Sequence, residues 1–548
     1  MSRAGLKLGA AGLGGGAAAA AAAAAASGAS WEDAPRALKL CGLVPLRLLR
    51  DSCTAACIAF DYQYSCWGVQ QGSDEWARIR HAVHLRSAHR LQDLCFRNGG
   101  IYIKLGQHLA QLDYVVPQEY VQTMRESMLK RCPVSSYDQV RRVFIKELGQ
   151  PPEDVFLLSP FLRLFSLLLS SLCPIPSPPS HSTYLYFFSF RSLPTSIRCL
   201  SLALLLHKFM LLEPMMDARL LSRWLVEEVR ESSPKELNFL HEARNSEKCV
   251  DNFKRLSPHI AESIYAPKVY WNLSTPRLLT MEFMEAAEVT DVKAIKKHGL
   301  RPHDVSKLVS KAFAEMMFKH GFVHCDPHAA NLMVRPLPKP VSWWSSFFKR
   351  RKPQLILLDH GLYKELDFDT RTSYAALWKG LVFADEKAIR ENSINLGAGE
   401  DLYVLFAGVL TMRPWKRVID PSVDHLALRP SHDDRSELQM YAAQYFPQIS
   451  ELLRRLPRVI LLMLKTNDCL RALNHDLVEG SPLESFLIIG RVSSEAVLDA
   501  KRMINGSNIS SRFRINIEHL FLEARLLAMK LAIWLLLLRN SLPLRWEQ

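Results

Sequence analysis

The chain has 548 residues, which is enough for roughly two to four domain-sized units. Hydrophobic residues make up 48% of it and charged residues 23%, proportions that are ordinary for a globular protein. The net charge of +14 comes from dispersed Lys and Arg, without the basic and aromatic pattern of an RNA- or DNA-binding module, so nucleic acid is not an expected partner. The eleven cysteines have neither zinc-ligand spacing nor the density of a disulfide scaffold.

Residues 1–59 are predicted to be a low-complexity targeting region. The first part of it contains Arg3, Lys7 and an alanine run from Ala17 to Ala26, and it contains no acidic residue. A basic, acid-poor segment rich in small residues is typical of a transit peptide that directs a protein to an organelle. A disordered tail is the alternative interpretation.

Apolar periodicity predicts a mainly helical chain with a few short strands. The predicted helices lie at 76–115 with a break at Asn98–Gly100, and at 137–148, 220–244, 305–317, 436–470 and 515–540, and the predicted buried strands lie at 277–284, 332–334 and 355–358. Asp304 is the expected N-cap of the helix that ends near Gly321. The apolar run Leu531–Leu538 is shorter than the about 20 residues that cross a bilayer, so we expect a buried helix there, with peripheral membrane contact as the alternative.

Residues 157–216 differ from the rest of the chain. No Asp or Glu occurs between Asp154 and Glu213, and Leu, Ser, Pro and Phe predominate. A folded, water-soluble surface of that length normally includes acidic side chains. The pattern of apolar residues follows neither the helical nor the strand period.

One strip of the sequence has the residues that phosphoryl transfer requires. The sequence HCDPHAAN (324–331) follows a predicted helix, and DHG (359–361) ends the second of two predicted strands. In phosphoryl transfer, one carboxylate orients the acceptor, and further oxygen ligands hold Mg²⁺ against the phosphates. Asp326 fits the first role, and Asn331 and Asp359 fit the second. The spacing H-x-D-x-x-x-x-N, followed by a strand and D-x-G, is that of the catalytic and metal loops of protein kinases.

The spelling of these motifs resembles the UbiB/aarF-domain atypical kinases, also called the "activity of bc-one" kinases. Besides HCDPHAAN and LLDHGLY, three segments are similar to motifs of that family: KLGQ (104–107) to its K-x-G-Q motif, ELNFLHEARN (236–245) to its E-x-D helix, and MEFMEAAEV (281–289) to its hinge. The resemblance implies an α+β, two-lobed, protein-kinase-like fold with a helical N-terminal extension and a helical C-terminal tail. It also implies ATP and Mg²⁺ as cofactors and an organelle-located kinase or ATPase that supports quinone or lipid homeostasis.

The resemblance assigns roles to further residues. Lys104 and Gln107 would belong to the motif that gates the active site, and Glu236 to the E-x-D motif. Glu242 would be the helix glutamate that pairs with the nucleotide-binding lysine, and Glu282 would lie in the nucleotide-binding hinge. The branch of the family that the chain resembles favours a mitochondrial location, peripheral to a membrane, with the plastid as the alternative, and protein partners in lipid or quinone metabolism.

The same resemblance divides the chain into five parts. They are a targeting region at 1–59, a helical extension with the K-x-G-Q motif at 60–155, a small lobe at 156–285, a large lobe at 286–470 and a helical tail at 471–548.

The sequence departs from the family pattern in three places. Asn238 stands where the family has Asp, and Ala329-Ala330 stands where Pro-Gly is usual. Residues 157–216 replace the alanine-rich loop and the V-A-V-K-V strand, so the small lobe is disrupted there. This segment is interpreted as translated intron or an alternative exon, as a diverged lobe of a pseudokinase, or as a membrane-contact insert.

A loop at 339–352 contains two Trp, two Phe and the basic run KRRK. Aromatic and cationic side chains together suit the interface of an anionic membrane, so this loop is a predicted lipid-contacting segment. A solvated insertion whose aromatic residues pack on the large lobe is the alternative.

Two other functions remain open from the sequence. A catalytically impaired pseudokinase that acts as a scaffold or lipid-binding module agrees with the missing loop and lysine. A small-molecule phosphotransferase of the aminoglycoside or choline kinase type shares the loop spacing but does not explain K-x-G-Q.

We expect the chain as written to bind ATP weakly or not at all, because Mg²⁺ ligands alone leave most of the phosphate contacts unmade. Titration of the purified chain with ATP in the presence of Mg²⁺ measures this directly, and saturable binding that depends on Mg²⁺ would contradict it. Sequencing the transcript across codons 150–220 separates the intron interpretation from a true loss of the lobe.

Overall fold

The computed structural model describes residues 36–70, 73–99, 101–110, 117–129, 137–155, 238–338, 351–413, 415–419, 446–477, 483–505 and 509–541. The described residues up to 155 belong to one compact unit, and those from 239 onward belong to another. The anomalous segment 157–216, Glu236 and most of the predicted membrane loop at 339–352 lie outside the described residues.

The first unit is helical throughout its described residues. Its helices are α1 (Arg36–Ser65), α2 (Asp74–Asn98), α3 (Ile101–Leu109), α4 (Gln118–Met124), α5 (Tyr137–Leu148) and α6 (Pro152–Val155), with a π-helical turn at Arg125–Leu129 after α4. The predicted break between α2 and α3 is confirmed. Gly99 ends α2 with φ of 60°, a left-handed conformation that glycine adopts without the steric cost of a Cβ.

A buried carboxylate fixes the angle at this break. Asp51 on α1 accepts hydrogen bonds from Asn98 Nδ2 at 2.9 Å and from Tyr102 Oη at 2.8 Å. Asn98 is the last residue of α2 and Tyr102 lies in the first turn of α3, and all three side chains are buried. A buried carboxylate is costly unless it is hydrogen-bonded, so this contact holds the helix with the K-x-G-Q motif in one orientation against α1 and α2.

The second unit contains two small sheets and many helices. Its helices are α7 (Phe239–Leu256), α8 (Pro258–Ala261), α9 (Val292–Lys297), α10 (Pro302–Glu315), α11 (Phe368–Phe383), α12 (Glu386–Asn395), α13 (Tyr403–Thr411), α14 (Trp415–Val418), α15 (Phe446–Arg455), α16 (Arg458–Leu477), α17 (Leu483–Asn505) and α18 (Ile509–Ser541). Its strands are β1 (Ile264–Tyr265), β2 (Ala287–Glu288), β3 (Phe322–His324), β4 (Leu332–Pro336), β5 (Pro353–Leu357) and β6 (Tyr363–Glu365).

The larger sheet has the strand order β1-β5-β4-β2, and β3 pairs with β6 in a separate two-stranded sheet. The predicted strands at 332–334 and 355–358 are confirmed as the antiparallel pair β4 and β5, in which Leu332 lies opposite Leu357. Leu332, Val334, Leu355, Ile356 and Leu357 are all fully buried. This buried pair of strands therefore fixes the positions of Asn331, which precedes β4, and Asp359, which follows β5.

The predicted helix before the catalytic strip is present, but its N-cap differs. Arg301 is the N-cap and Pro302 the first helical residue, where the missing N–H of proline costs nothing. Asp304 instead lies in the first turn and pairs with Arg301 at 2.7 Å. At the other end, a π-helical turn at Met316–His320 leads to Gly321, which has φ of 65° and ends the helix as predicted.

The predicted strand at 277–284 is wrong. Residues 268–282 form an irregular hairpin in which Tyr270 N donates to Thr280 O at 2.9 Å and Glu282 N donates to Lys268 O at 2.8 Å. A turn closed by Thr275 and Leu278 contains Pro276, which has no N–H to donate to a ladder. Leu278, Leu279, Thr280 and Met284 are buried, but the segment is paired with its own upstream chain rather than with the sheet.

Helix α18 packs on α17 and contacts α11 through its buried side. Ile515, Leu522 and Leu526 of α18 join Phe383 in a buried cluster. The expectation of a buried helix at Leu531–Leu538 is wrong for the side chains described there, because Leu531, Trp534 and Leu535 are 52–59% exposed. Among the described residues, no helix is long and apolar enough to cross a membrane. The proposed boundary at residue 470 falls inside the continuous helix α16.

We predict that Gly490→Ala lowers the free energy of unfolding by about 1–3 kcal/mol, the usual cost of overpacking a core. Gly490 lies on α17 where it crosses α11, and an added Cβ would lie 2.6 Å from Cγ1 of Val382. Chemical denaturation followed by circular dichroism measures the change. Gly408→Ala is the matched control, because it also lies in a helix, and its nearest neighbour, the carbonyl oxygen of Arg413, would be 3.4 Å away. The higher helix propensity of Ala should leave that variant as stable as the native chain or more stable, and equal losses in both variants would contradict the packing argument.

Candidate functional site

His324 connects the catalytic loop to the metal loop. Its Nδ1 accepts a hydrogen bond from the backbone N–H of Asp326 at 3.1 Å, so Nε2 has the proton and donates to the carbonyl oxygen of Leu358 at 3.2 Å. The imidazole is completely buried, and this burial lowers its pKa below the ordinary value. A neutral imidazole with one donor and one acceptor is therefore the form that fits both bonds.

The β4–β5 pair brings the predicted metal ligands together. Asn331 immediately precedes β4 and Asp359 follows β5 by two residues, and Leu358 N donates to the carbonyl oxygen of Asn331 at 2.9 Å. Asn331 Nδ2 donates to the carbonyl oxygen of Asp326 at 3.1 Å. The Asn331 amide oxygen is then the atom of that side chain suited to a cation.

The backbone is strained at Asp359, the predicted metal ligand. Asp359 has φ of 47°, which is uncommon for a residue with a Cβ, although Asp tolerates it better than most. Its Oδ1 accepts a hydrogen bond from Gly361 N at 3.3 Å. Such strain persists only where the surroundings fix the conformation, so the carboxylate of Asp359 is held at a defined position.

Helix α7 holds the metal loop from one side. Asn245 Nδ2 donates to the carbonyl oxygen of His360 at 2.9 Å, and His360 N donates to Glu242 Oε1 at 3.2 Å. The sequence assigned Glu242 to an ion pair with a lysine whose strand was not recognisable. The structure gives its carboxylate a different contact, with the backbone of the metal loop, and the lysine pairing stays a prediction.

His360 and Tyr363 complete the support of this loop. His360 Nε2 donates to the carbonyl oxygen of Leu357 at 3.0 Å, and His360 Nδ1 accepts from Tyr363 Oη at 2.9 Å. Burial lowers the pKa of His360 to about 3 and raises that of Tyr363 well above its ordinary value. Both side chains are thus neutral at physiological pH.

Sequence reasoning missed Lys465. This residue lies on α16, has a buried side chain, and places Nζ 3.4 Å from Oδ1 of Asp326. His328 Nε2 lies 3.7 Å from the other carboxylate oxygen. The sequence does show a single lysine within the apolar run VILLMLK, which is unusual for a buried helix. Because Lys465 lies 139 residues from Asp326, the sequence alone could not predict the contact between them.

The oxygen donors fit a magnesium–nucleotide complex better than a metal held by protein alone. Among the described residues, no group of three or more His, Cys, Asp and Glu side chains could enclose a metal ion. Mg²⁺ usually keeps water and phosphate oxygens and takes only one or two carboxylates from the protein. Asp359 and Asn331 supply one carboxylate and one amide oxygen, which suits that arrangement.

The remaining predicted residues lie elsewhere. Helix α3 contains the K-x-G-Q motif in the first unit, where an added Cβ at Gly106 would lie 2.9 Å from Cγ of Met128, and Gln107 Nε2 donates to Met128 O at 3.4 Å. The motif's glycine is thus needed for close packing. Lys104 lies on the same helix, and its gating role stays a prediction.

The hinge candidate Glu282 is engaged within the second unit. Tyr265 Oη and Lys268 N both donate to its Oε2, at 2.6 Å and 3.2 Å. These bonds fix the end of the hairpin, and a nucleotide contact by Glu282 stays a prediction.

Comparison with known proteins identifies the family. The model of the ABC1 atypical kinase-like domain matches residues 199–393. An ABC1 protein of Arabidopsis thaliana is 57% identical over 524 residues, which cover 94% of this chain and 95% of that protein. The chain belongs to the ABC1/AarF family of atypical kinase-like proteins.

Animal members of the ABC1/AarF family are also similar to this chain. AarF domain-containing protein kinase 1 of Mus musculus is 35% identical over 89% of this chain and 90% of its own length. AarF domain-containing kinase 1 of Drosophila melanogaster is 31% identical over 84% and 86%. The ABC1 match includes Asp326, Asn331 and Asp359, and it begins inside the anomalous segment 157–216. The resemblance read from the motifs is confirmed, together with a kinase-like, mainly helical α+β domain.

We predict that Asn245→Ala lowers the free energy of unfolding by about 1–3 kcal/mol, because it removes a buried donor from the carbonyl group of His360. It should also accelerate amide hydrogen exchange at residues 360 and 361. Glu242→Gln keeps an acceptor for His360 N and should cost less. Arg244→Ala, on an exposed position of the same helix, is the control and should change stability by no more than about 0.5 kcal/mol. Loss of stability without faster exchange in the metal loop would show that α7 does not hold that loop.

Proposed function

We propose that this protein is an ATP- and Mg²⁺-dependent atypical kinase or ATPase that supports quinone or lipid homeostasis in an organelle. The observation that supports this most directly is the single hydrogen-bonded frame in which His324 and the β4–β5 pair bring Asp326, Asn331 and Asp359 together. The membership of the chain in the ABC1/AarF family agrees with this proposal.

Each residue has a distinct part in the proposed reaction. When bound, the Mg²⁺–ATP complex supplies the phosphoryl group. Asp326 orients the acceptor hydroxyl or water, because its carboxylate is half-buried and placed by two backbone contacts. Asn331 and Asp359 present the oxygens that hold the cation. Lys465 keeps the carboxylate of Asp326 oriented and adds positive charge where phosphate oxygens would gather.

The cellular setting belongs to the same proposal. The acid-poor N-terminal region supports import into the mitochondrion, or alternatively the plastid, and peripheral association with a membrane there. Partners would be proteins or lipids of quinone or lipid metabolism. The two-lobed organisation would place the nucleotide between a small lobe within 156–285 and a large lobe within 286–470.

A second candidate is a pseudokinase that acts as a scaffold or lipid-binding module. It is favoured by the absence, in residues 157–216, of the alanine-rich loop and the V-A-V-K strand. Weak ATP binding by the chain as written agrees with both candidates, so the test is whether the remaining site residues bind and hydrolyse ATP once that segment is replaced.

The decisive experiment compares the chain as written with a repaired chain, in which residues 157–216 are replaced by the aligned segment of the Arabidopsis thaliana relative. We expect the repaired chain to bind ATP only with Mg²⁺ and to hydrolyse it. In that background, Asp359→Asn should abolish Mg²⁺-dependent binding. Asp326→Asn should keep binding but reduce turnover by about 10²-fold or more, the size of a general acid–base contribution.

Two further variants of the repaired chain serve as controls. Lys465→Arg keeps the cation beside Asp326 and should retain more turnover than Lys465→Met, whereas Lys387→Met removes an exposed lysine and should change nothing. A repaired chain that folds cooperatively but neither binds nor hydrolyses ATP would reject the enzyme and support the scaffold.

A further inference from the structure

Helix α18 exposes a broad apolar face. Its exposed hydrophobic side chains are Phe513, Ile517, Leu520, Phe521, Leu527, Leu531, Trp534 and Leu535. At 3.6 residues per turn, these positions occupy one face about 140° wide. The opposite side of the helix faces the core through Ile515, Leu522 and Leu526, so the exposed face is additional to the one that folding uses.

Beside this face, the acidic residues of α18 are paired with α17, whereas two basic residues are exposed. The helix contains two acidic residues, and each is paired with α17: Glu518 with Lys501 at 2.5 Å and Glu523 with Arg491 at 2.8 Å. The basic residues Arg514 and Lys530 are exposed and lie on opposite edges of the apolar face. The surface that α18 turns outward is therefore apolar in the middle and has an exposed basic residue at each edge.

A second copy of the chain fits this face less well. The apolar residues recur at the three- and four-residue steps of a coiled coil, in which the flanking positions normally hold complementary charges. Here two flanking positions are Phe521, which is 72% exposed, and Leu535, which is 52% exposed. The exposed apolar face therefore extends beyond the two positions per heptad that a two-stranded seam covers.

We propose that α18 lies in the surface of an anionic lipid bilayer, with this face in the boundary between headgroups and acyl chains. Helices that bind in this way combine an apolar face containing Trp, Phe and Leu with Lys and Arg at its edges. Trp534 suits headgroup depth, where one side of an indole is apolar and the other hydrated. The proposal concerns a helix distant in sequence from the 339–352 loop and does not depend on the proposed catalytic function.

The experiment is co-sedimentation of the full chain with phosphatidylcholine vesicles, with and without phosphatidylserine. We expect the native chain to bind the anionic vesicles more strongly. Leu520→Ser combined with Leu527→Ser should weaken binding by about tenfold or more, given the apolar area withdrawn from lipid. Arg514→Glu combined with Lys530→Glu should remove the preference for phosphatidylserine, because each basic residue near an anionic surface contributes to binding.

The matched control is Met503→Ser with Ile504→Ser, which removes exposed apolar side chains from the end of α17. It should leave vesicle binding unchanged. Unchanged binding by the Leu520 and Leu527 variant would overturn the proposal. A second result would also overturn it: the native chain does not bind vesicles but forms a dimer in sedimentation velocity, and this variant abolishes the dimer. A second copy of the chain would then cover the face.

A third outcome separates an intramolecular partner. If the Leu520 and Leu527 variant lowers the melting temperature and the native chain does not bind vesicles, another part of the same chain covers the face and the proposal is wrong. If the variant melts at the native temperature or higher and has lost vesicle binding, the lipid surface is the occupant.

Discussion

The buried imidazole of His324 is the contact on which the candidate site depends. It joins the backbone beside Asp326 to the backbone beside Asp359, and it performs both tasks only as a neutral ring with the proton on Nε2. Its complete burial enforces that state, because charging it would require a cation in the core. The histidine of the motif is therefore a structural link between the two loops that contain Asp326 and Asp359.

Helices outside the motifs also hold the two loops of the candidate site in place. Helix α7 binds the backbone of the metal loop through Asn245 and Glu242, and α16 contributes Lys465 to the carboxylate of Asp326. Neither helix belongs to the motif strip. A kinase-like site depends mainly on the positioning of its groups. Here, contacts from Asn245 and Lys465, which lie more than a hundred residues away in sequence from His360 and Asp326, supply much of that positioning.

Two features of the molecule concern surfaces rather than the site. Gly106 permits close packing of the K-x-G-Q helix on Met128, which explains the glycine of that motif without reference to catalysis. Helix α18 buries one face and exposes another that is equally apolar. In α18, the apolar residues therefore serve folding on one side and leave a distinct surface on the other.

The sequence alone determined several of the local elements and the family of the chain. The β4 and β5 strands, the break at Gly99 and the end of α10 at Gly321 follow from apolar periodicity and from glycine's access to positive φ. The motif spacing also predicted site roles for Asp326, Asn331 and Asp359, which the structure places in neighbouring loops. What these predictions share is that the physical cause lies within a few residues of its effect.

Only the tertiary structure decided which distant groups meet. No local pattern predicts that Lys465 contacts Asp326 or that His360 N donates a hydrogen bond to Glu242. The same holds for the pairing of residues 280–282 with residues 268–270. The burial of Leu531, Trp534 and Leu535 was predicted wrongly for the same reason, since an apolar run shows a preference for leaving water but does not show which neighbour covers it. Periodicity encodes the faces of a helix, whereas packing in three dimensions selects the face that is buried.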